Sequence, residues 1–183
     1  MKVILILVGK TCSGKDSIVK ELVEKHKYKR IITYTTRPMR KGEKKDITYH
    51  YISNEEFEQK IKDDFFSEWK SYDTEFGVWY YGTALKDLEN AEDNSVIILT
   101  PDGVMDIKNK LNKKSTIIYV YANNTTIKAR LMKRKDNERE ADRRLKHDNE
   151  KFRGIENEVN RIVYNNFDAD INDVVDKILE FAR

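Results

Sequence analysis

Residues Val3 to Ser17, VILILVGKTCSGKDS, decide how the rest of the chain is read. The first six are apolar without alternation, as a parallel strand covered on both faces must be. Gly9 ends that run, and after four residues come Gly14 and Lys15. Glycine, four residues, glycine and lysine between a buried strand and a helix make the P-loop pattern, in which N–H groups of the loop and helix N-terminus converge on one anion. An amphipathic helix is expected next, with Ile18, Val19, Leu22 and Val23 on its buried face. Lys15 adds a point charge for the outer phosphates of a polyphosphate. The pattern then calls for a Ser or Thr whose hydroxyl holds Mg²⁺, whereas this chain has Asp16 followed by Ser17.

With 183 residues, one well-cored domain is expected, with room for small inserted subdomains. Thirty-five basic and thirty-two acidic side chains are mixed along the chain and leave a net charge of +3, which predicts a solvated surface and no nucleic-acid partner. The single cysteine, Cys12, excludes a disulfide framework and fits a reducing compartment. The N-terminal apolar run is too short for a signal core or a membrane span, so a cytoplasmic protein with no membrane partner is expected. No internal repeat or flexible linker is visible. His26, His50 and His147 lack ligand spacing, and no metal or catalytic role is assigned to them.

Further along, Arg30 to Tyr34 (RIITY) predicts a second short strand, and TTRPMRKGEKKDITYHYIS follows from Thr35 to Ser53. Asn54 to Asp63 predicts a short helix with a capping residue and Phe57 and Ile61 packed inward. FFSEW (65–69) precedes a turn at 72–78, expected to be a surface hairpin tip, and then YYGT (80–83). Ser95 to Thr100 (SVIILT) reads as another buried parallel strand stopped by Pro101. A helix over 102–111, a strand over 115–121, a charged stretch over 126–144, a short strand over 161–165 and a closing helix complete an alternation that defines a doubly wound α/β domain. Ile171, Val174, Val175, Ile178 and Leu179 are the core face of that last helix.

Taken together, the phosphate loop, TTRP with a second arginine three residues later, the Gly-Glu pair, the tyrosine opening a strand and YYGT resemble the guanylate kinases over nearly the whole chain. The resemblance implies a three-layer P-loop NTPase fold with a central parallel sheet, a small inserted mixed α/β acceptor-binding subdomain and a helical lid. Its parts would be a core at 1–33, 84–125 and 145–183, a nucleoside monophosphate-binding subdomain at 34–83 and a lid at 126–144, all in one domain. It implies phosphoryl transfer from ATP, with Mg²⁺, to GMP or dGMP. ATP would be held by Gly9, Lys10, Thr11, Cys12, Ser13, Gly14, Lys15, Asp16 and Ser17, with Asn165 near the adenine. Arg37 and Arg40 match the clamp on the acceptor phosphate, and two guanidinium forks suit a dianion better than lysines do. Tyr49 and Tyr81 match its phenols. Glu68, Thr33 and Thr83 match the groups at the guanine, where a two-oxygen carboxylate meets two adjacent N–H donors. The charged stretch resembles the family lid, and Lys15, Arg37, Arg130, Arg134 and Arg144 are the implied catalytic residues. A monomer or homodimer is expected.

Two departures stand out against the resemblance. The family carries aspartates near the end of the strand that here ends in Ile98 and Thr100, with Asp102 two residues beyond. A carboxylate at Asp16 has little reason to stand beside a triphosphate unless a cation lies between them. Two readings remain open: Asp16 takes over as a Mg²⁺ ligand, or it favours the positive helix N-terminus while Ser17 or water serves the metal. The chain also resembles ribose 1,5-bisphosphate kinases in its Gly-Lys-Asp-Ser, which is a second enzyme reading. A third is a non-catalytic guanylate kinase-like interaction module.

Overall fold

A computed structural model describes residues 3–108, 115–134 and 138–182. The first apolar run forms β1 (Ile4–Val8), and all five residues are buried. Its side chains alternate between two separate cores, which explains why the run is apolar at every position. Ile4, Ile6 and Val8 enter one core with Ile97, Leu99, Val104, Ile107, Ile117 and Tyr119. Leu5 and Leu7 enter the other with Ile18, Val19, Leu22, Ile118, Val120, Val174, Val175 and Ile178. Each such fully buried aliphatic side chain contributes about 1.5–3 kcal/mol of transfer free energy.

β1 is the middle strand of a five-stranded parallel sheet. β7 (Ser95–Leu99) and β8 (Ser115–Tyr121) flank it, with β2 (Lys29–Arg30) and β9 (Arg161–Tyr164) at the edges, giving the order β2-β7-β1-β8-β9. One face carries α1 (Lys15–His26) and α7 (Ile171–Phe181). The other carries α3 (Leu85–Glu89) and α4 (Pro101–Lys108), so the expected three-layer α/β arrangement is present. In such open sheets ligands bind beyond the carboxyl ends of the strands, and the loop after β1 lies there.

A second sheet, ordered β4-β3-β6-β5, is built from β3 (Tyr34–Thr35), β4 (His50–Tyr51), β5 (Phe66–Thr74) and β6 (Gly77–Ala84). β5 and β6 form a long antiparallel hairpin in which Glu68 faces Thr83, Lys70 faces Tyr81 and Tyr72 faces Trp79, after an irregularity between Phe66 and Glu68. Period-two alternation puts this row on one face. The other face packs on α2 (Asn54–Lys62) through Phe57, whose ring stacks on Phe66 at 4.3 Å and on Tyr80 at 5.1 Å. α5 (Asn124–Arg134) and α6 (Glu138–Lys151) share a small core of Ile127, Leu131, Ala141 and Leu145 with Ala122.

Several expectations are corrected. The strand predicted over 30–34 is two strands in different sheets. The Ile31 N–H still bonds to Val96 O of the first sheet, while Thr33 O already accepts from His50 N of the second. Pro101 does not merely stop β7 but opens α4, where its missing N–H costs nothing; residues 109–111 of the predicted helix lie outside the described residues, as does Lys135 in the charged stretch. α2 is capped by Ser53, whose hydroxyl accepts from Glu56 N, rather than by Asn54. Val23 is 39% exposed and leaves the buried face of α1. Ile171 and Leu179 only pack against the edge of their core. The supposed surface tip at 72–78 is mostly hairpin strand, with the turn confined to Glu75 and Phe76.

Candidate functional site

Between the two sheets lies one cleft, and most of the predicted site residues line it. Gly9, Thr11, Cys12, Lys15 and Asp16 come from the first sheet's loop and helix. Thr33, Arg37, Arg40, Tyr49, Glu68, Tyr81 and Thr83 come from the second sheet and its connections, and Arg134 and Arg144 from α5 and α6. Lys10, Ser13, Gly14, Ser17, Arg130 and Asn165 are not part of its lining.

The phosphate loop is tightly folded. A side chain at Gly9 would come within 2.6 Å of both Ser13 Oγ and the backbone oxygen of Val120, so only glycine fits. Gly14 has φ 99°, the left-handed region that glycine enters without strain, and caps α1. Asn165, buried at the end of β9, donates from Nδ2 to Ser13 O at 2.8 Å. Arg130 donates from Nη1 to Cys12 O at 3.1 Å. Both thus brace the loop from behind. Lys15 Nζ donates to Gly9 O at 2.6 Å and to Lys10 O at 2.9 Å. Burial pushes its pKa down, against the attraction of Asp16 and Asp148.

Sequence reasoning missed Asp148. Its carboxylate, on α6, accepts from the Thr11 N–H at 2.6 Å, one of the loop donors. The next residue, Asn149, accepts from Lys10 Nζ at 2.6 Å. Burial pushes the Asp148 carboxyl above its usual range, opposed by the Thr11 N–H, Lys15, His147 and Lys10. No local pattern marks an acid in a charged helix as a loop ligand.

Across the cleft, the two arginines of the TTRPMR segment differ. Arg37 is 4% exposed and forks onto Glu43, with Nη2 to Oε1 at 2.8 Å and Nη1 to Oε2 at 3.0 Å. Burial opposes its charge, but Glu43 more than compensates and raises its pKa. Glu43 also accepts from Arg40 N and from Tyr51 Oη, both at 2.7 Å. Burial opposes the Glu43 charge too, yet these donors, Arg37 foremost, hold its carboxyl down to about 2. The Gly-Glu pair of the motif was the available signal for this anchor. Arg40 is pushed down by burial and by repulsion from Arg37, Arg144 and Arg134. Arg37, Arg134 and Arg144 are thus near enough to Arg40 for their charges to be felt, which makes this side of the cleft positive. The Tyr49 ring lies beneath Arg37 at 5.5 Å, and Tyr81 packs edge-on against Tyr49 at 6.2 Å. Burial raises the Tyr49 pKa, so its phenol keeps its proton to donate.

Deeper along the hairpin, Thr83 Oγ1 donates to Glu68 Oε1 at 2.6 Å, and both residues are buried. Lys70, Tyr72 and Trp79 continue the same wall; Lys70 pairs with Asp106 of α4 at 2.8 Å, while Tyr72 and Trp79 meet α6, with His147 5.8 Å from the Tyr72 ring and the Arg144 guanidinium 5.4 Å from the Trp79 ring centre. Ile98 and Thr100 also line the cleft, and neither carries a charge.

Mg²⁺ takes oxygen ligands and keeps several waters, so one or two protein oxygens beside bound phosphates suffice. Among the described residues no three His, Cys, Asp or Glu side chains gather into a metal cage. Asp16, in the cleft wall and 65% exposed, bonds through Oδ1 to Arg30 Nη2 at 3.2 Å. That placement fits an ion carried on a nucleotide rather than one held by the protein alone.

A phosphate loop after the central strand of a parallel sheet, opposed across one cleft by an arginine cluster, is the arrangement of a P-loop kinase. The guanylate kinase family model matches residues 1–182, and the chain belongs to that family. A guanylate kinase of Campylobacter jejuni (strain RM1221) is 35% identical over 137 residues, covering 72% of this chain and 65% of that enzyme, so the match spans just under two thirds of the relative's length. One from Caldanaerobacter subterraneus is 32% identical across 98% of this chain and 84% of its own. The crystal structure of guanylate kinase from Anaplasma phagocytophilum shares the fold, with a TM-score of 0.69 at 22% identity, covering all of this chain and 85% of that one. Among the described residues no helix is long and apolar enough to cross a membrane.

Proposed function

We propose that the protein is a guanylate kinase, transferring the γ-phosphoryl group of ATP to GMP or dGMP and yielding ADP with GDP or dGDP. The observation that carries this reading is that Arg40, Arg134 and Arg144, with Arg37 anchored behind them by Glu43, line the same cleft as Lys15 and make it positive. Two phosphate sites in one cleft suit a reaction that demands positioning and charge neutralisation more than covalent chemistry. Lys15 and the loop N–H groups hold the donor's outer phosphates. Arg40, Tyr49 and Tyr81 hold the acceptor phosphate, with Arg37 fixing the cage from behind. Arg134 and Arg144 neutralise charge on the transferring group. Mg²⁺ carried on ATP would supply further neutralisation, with either Asp16 or Ser17 and water as its partner on the loop. Glu68, oriented by Thr83, accepts from the guanine edge, and Thr33 lies in the same wall.

In this reading residues 34–83 form the acceptor-binding subdomain and 126–144 the lid, each closing on the core to exclude water. The enzyme works in the cytoplasm, as a monomer or homodimer, without nucleic-acid or membrane partners. The test is a coupled ADP-release assay with ATP, Mg²⁺ and GMP, dGMP, AMP or ribose 1,5-bisphosphate. Turnover is expected with a guanine nucleotide and not with AMP. Turnover with ribose 1,5-bisphosphate alone, or with no acceptor, would overturn the assignment.

A further inference from the structure

Gly103 lies buried in the first turn of α4, and its backbone is not in the left-handed region, so conformational freedom is not what the position requires. Alanine is the better helix former there. What the position requires is space. A side-chain carbon on residue 103 would come within 3.1 Å of Glu68 Oε2, 3.3 Å of Thr100 Oγ1 and 3.4 Å of Glu68 Cδ. Both neighbours are held in place. Glu68 is buried, and its Oε1 takes the Thr83 hydroxyl at 2.6 Å. Thr100 caps the turn, its hydroxyl oxygen accepting from Gly103 N at 3.1 Å. Hairpin and helix run in matched register: Lys70, two residues beyond Glu68, pairs with Asp106, three residues beyond Gly103, at 2.8 Å. On its other flank α4 bonds through Asp102 to Lys151 of α6. The carboxylate assigned to the guanine edge thus rests against the first turn of a core helix, whose positive end favours its charge.

We propose that Gly103 is a specificity-determining positioning residue for the acceptor: by carrying no side chain, it lets Glu68 seat its carboxylate against α4 at the depth from which it reads the guanine edge. Thr100 serves the same end, because its hydroxyl fixes the turn that carries Gly103. Both act through Glu68. A carboxylate pushed outward by a few tenths of an ångström meets the two adjacent N–H donors of guanine off line. The loss falls on guanine and not on adenine, which offers no such pair of donors. The inference rests on Glu68 reading guanine in the proposed reaction.

The experiment measures dissociation constants for GMP, AMP and ATP by calorimetry on the full chain. Gly103→Ala should lower the preference for GMP over AMP about tenfold through weaker GMP binding, with ATP affinity changed by less than about twofold. Thr100→Val keeps the shape of the side chain and removes the capping hydroxyl. It should lower the preference about threefold, and Thr100→Ser should restore it. Glu68→Asp withdraws the carboxylate by one methylene, so adding Gly103→Ala to it should change the preference by less than about twofold. A substitution that merely loosened the fold would weaken both nucleotides alike and add in full to Glu68→Asp. An unchanged preference in Gly103→Ala and Thr100→Val, or full additivity with Glu68→Asp, would overturn the positioning role and leave the reading of Glu68 in place. A wild type that binds GMP no more tightly than AMP would instead overturn the reading of Glu68 at guanine, and the role of Gly103 with it.

Discussion

The two halves of the cleft are prepared in opposite ways. On the acceptor side, Arg37 is locked into a buried fork with Glu43, whose remaining acceptor capacity takes the Arg40 N–H and the Tyr51 hydroxyl. Arg40 lies where burial and the charges of Arg37, Arg144 and Arg134 disfavour its own charge. On the donor side two groups are engaged internally: Lys15 by the Gly9 and Lys10 carbonyls, and the Thr11 N–H by Asp148. The acceptor clamp is anchored by a buried ion pair, the donor loop by hydrogen bonds to its own carbonyls and to α6. In the proposed reaction, preorganisation would lower the cost of binding GMP, whereas ATP would exchange its phosphate contacts against those that Lys15 and Thr11 make.

The largest effect should come from the one donor-side cation that the loop encloses. Lys15→Met is expected to lower kcat about 10³-fold, because a charge aimed at the developing transition state is lost, while KM for GMP stays within a few fold. Steady-state kinetics with each substrate varied would check it. A comparable rise in KM for GMP would mean that Lys15 serves both halves and that the contrast between them is overstated.

Glu43→Gln attacks the acceptor half at its anchor. Breaking a buried ion pair while one charge stays behind should cost about 3 kcal/mol of stability, measured by urea unfolding at neutral pH. Its pH dependence has a fixed sign. The Glu43 carboxyl is held down from its ordinary 4.5 to about 2. Its contribution is therefore fully present above about pH 4.5 and is lost as pH falls toward 2, so the gap between wild type and Glu43→Gln should close over that interval. KM for GMP should rise about tenfold at pH 7, with KM for ATP nearly unchanged.

A smaller, selective effect is expected at the base. Glu68→Gln exchanges a carboxylate for an amide that presents one acceptor and one donor to the guanine edge. The preference for GMP over AMP, read as a ratio of kcat/KM, should fall roughly tenfold to a hundredfold, since a buried polar site discriminates by the groups it leaves unpaired.

These contrasts also explain which parts of the molecule could be read from the chain. Val3 to Ser17 was legible because strand, loop and helix follow one another locally and each imposes its own composition. Arg37 and Arg40 were legible as a pair, but not their division of labour, which depends on Glu43 folding back between them. The break of RIITY into β2 and β3 was not legible, because no residue in it signals a change of partner sheet. Asp148 was invisible for the same reason: its role depends on where α6 lies against a loop 137 residues earlier. Arg130 and Asn165 carry motif positions, yet their visible contacts are to the back of the loop, where backbone carbonyls needed donors.

Asp16 sits where the two halves meet, and its substitution should have the smallest effect on stability. Its ion pair with Arg30 is largely exposed on the Asp16 side, and such pairs contribute well under 1 kcal/mol, so Asp16→Asn should unfold within about 0.5 kcal/mol of wild type. Its effect on the metal should be separable. An amide oxygen is a poorer Mg²⁺ ligand than a carboxylate, so the Mg²⁺ concentration for half-maximal rate should rise about fivefold at saturating ATP. Asp16→Ser restores the hydroxyl that the loop pattern calls for and should recover part of that loss. Arg30→Ala provides the control, because it removes the same ion pair and leaves the carboxylate in place. If Arg30→Ala shifts the Mg²⁺ requirement as far as Asp16→Asn does, the carboxylate matters only through its partner, and Asp16 belongs to the acceptor wall rather than to the donor's metal.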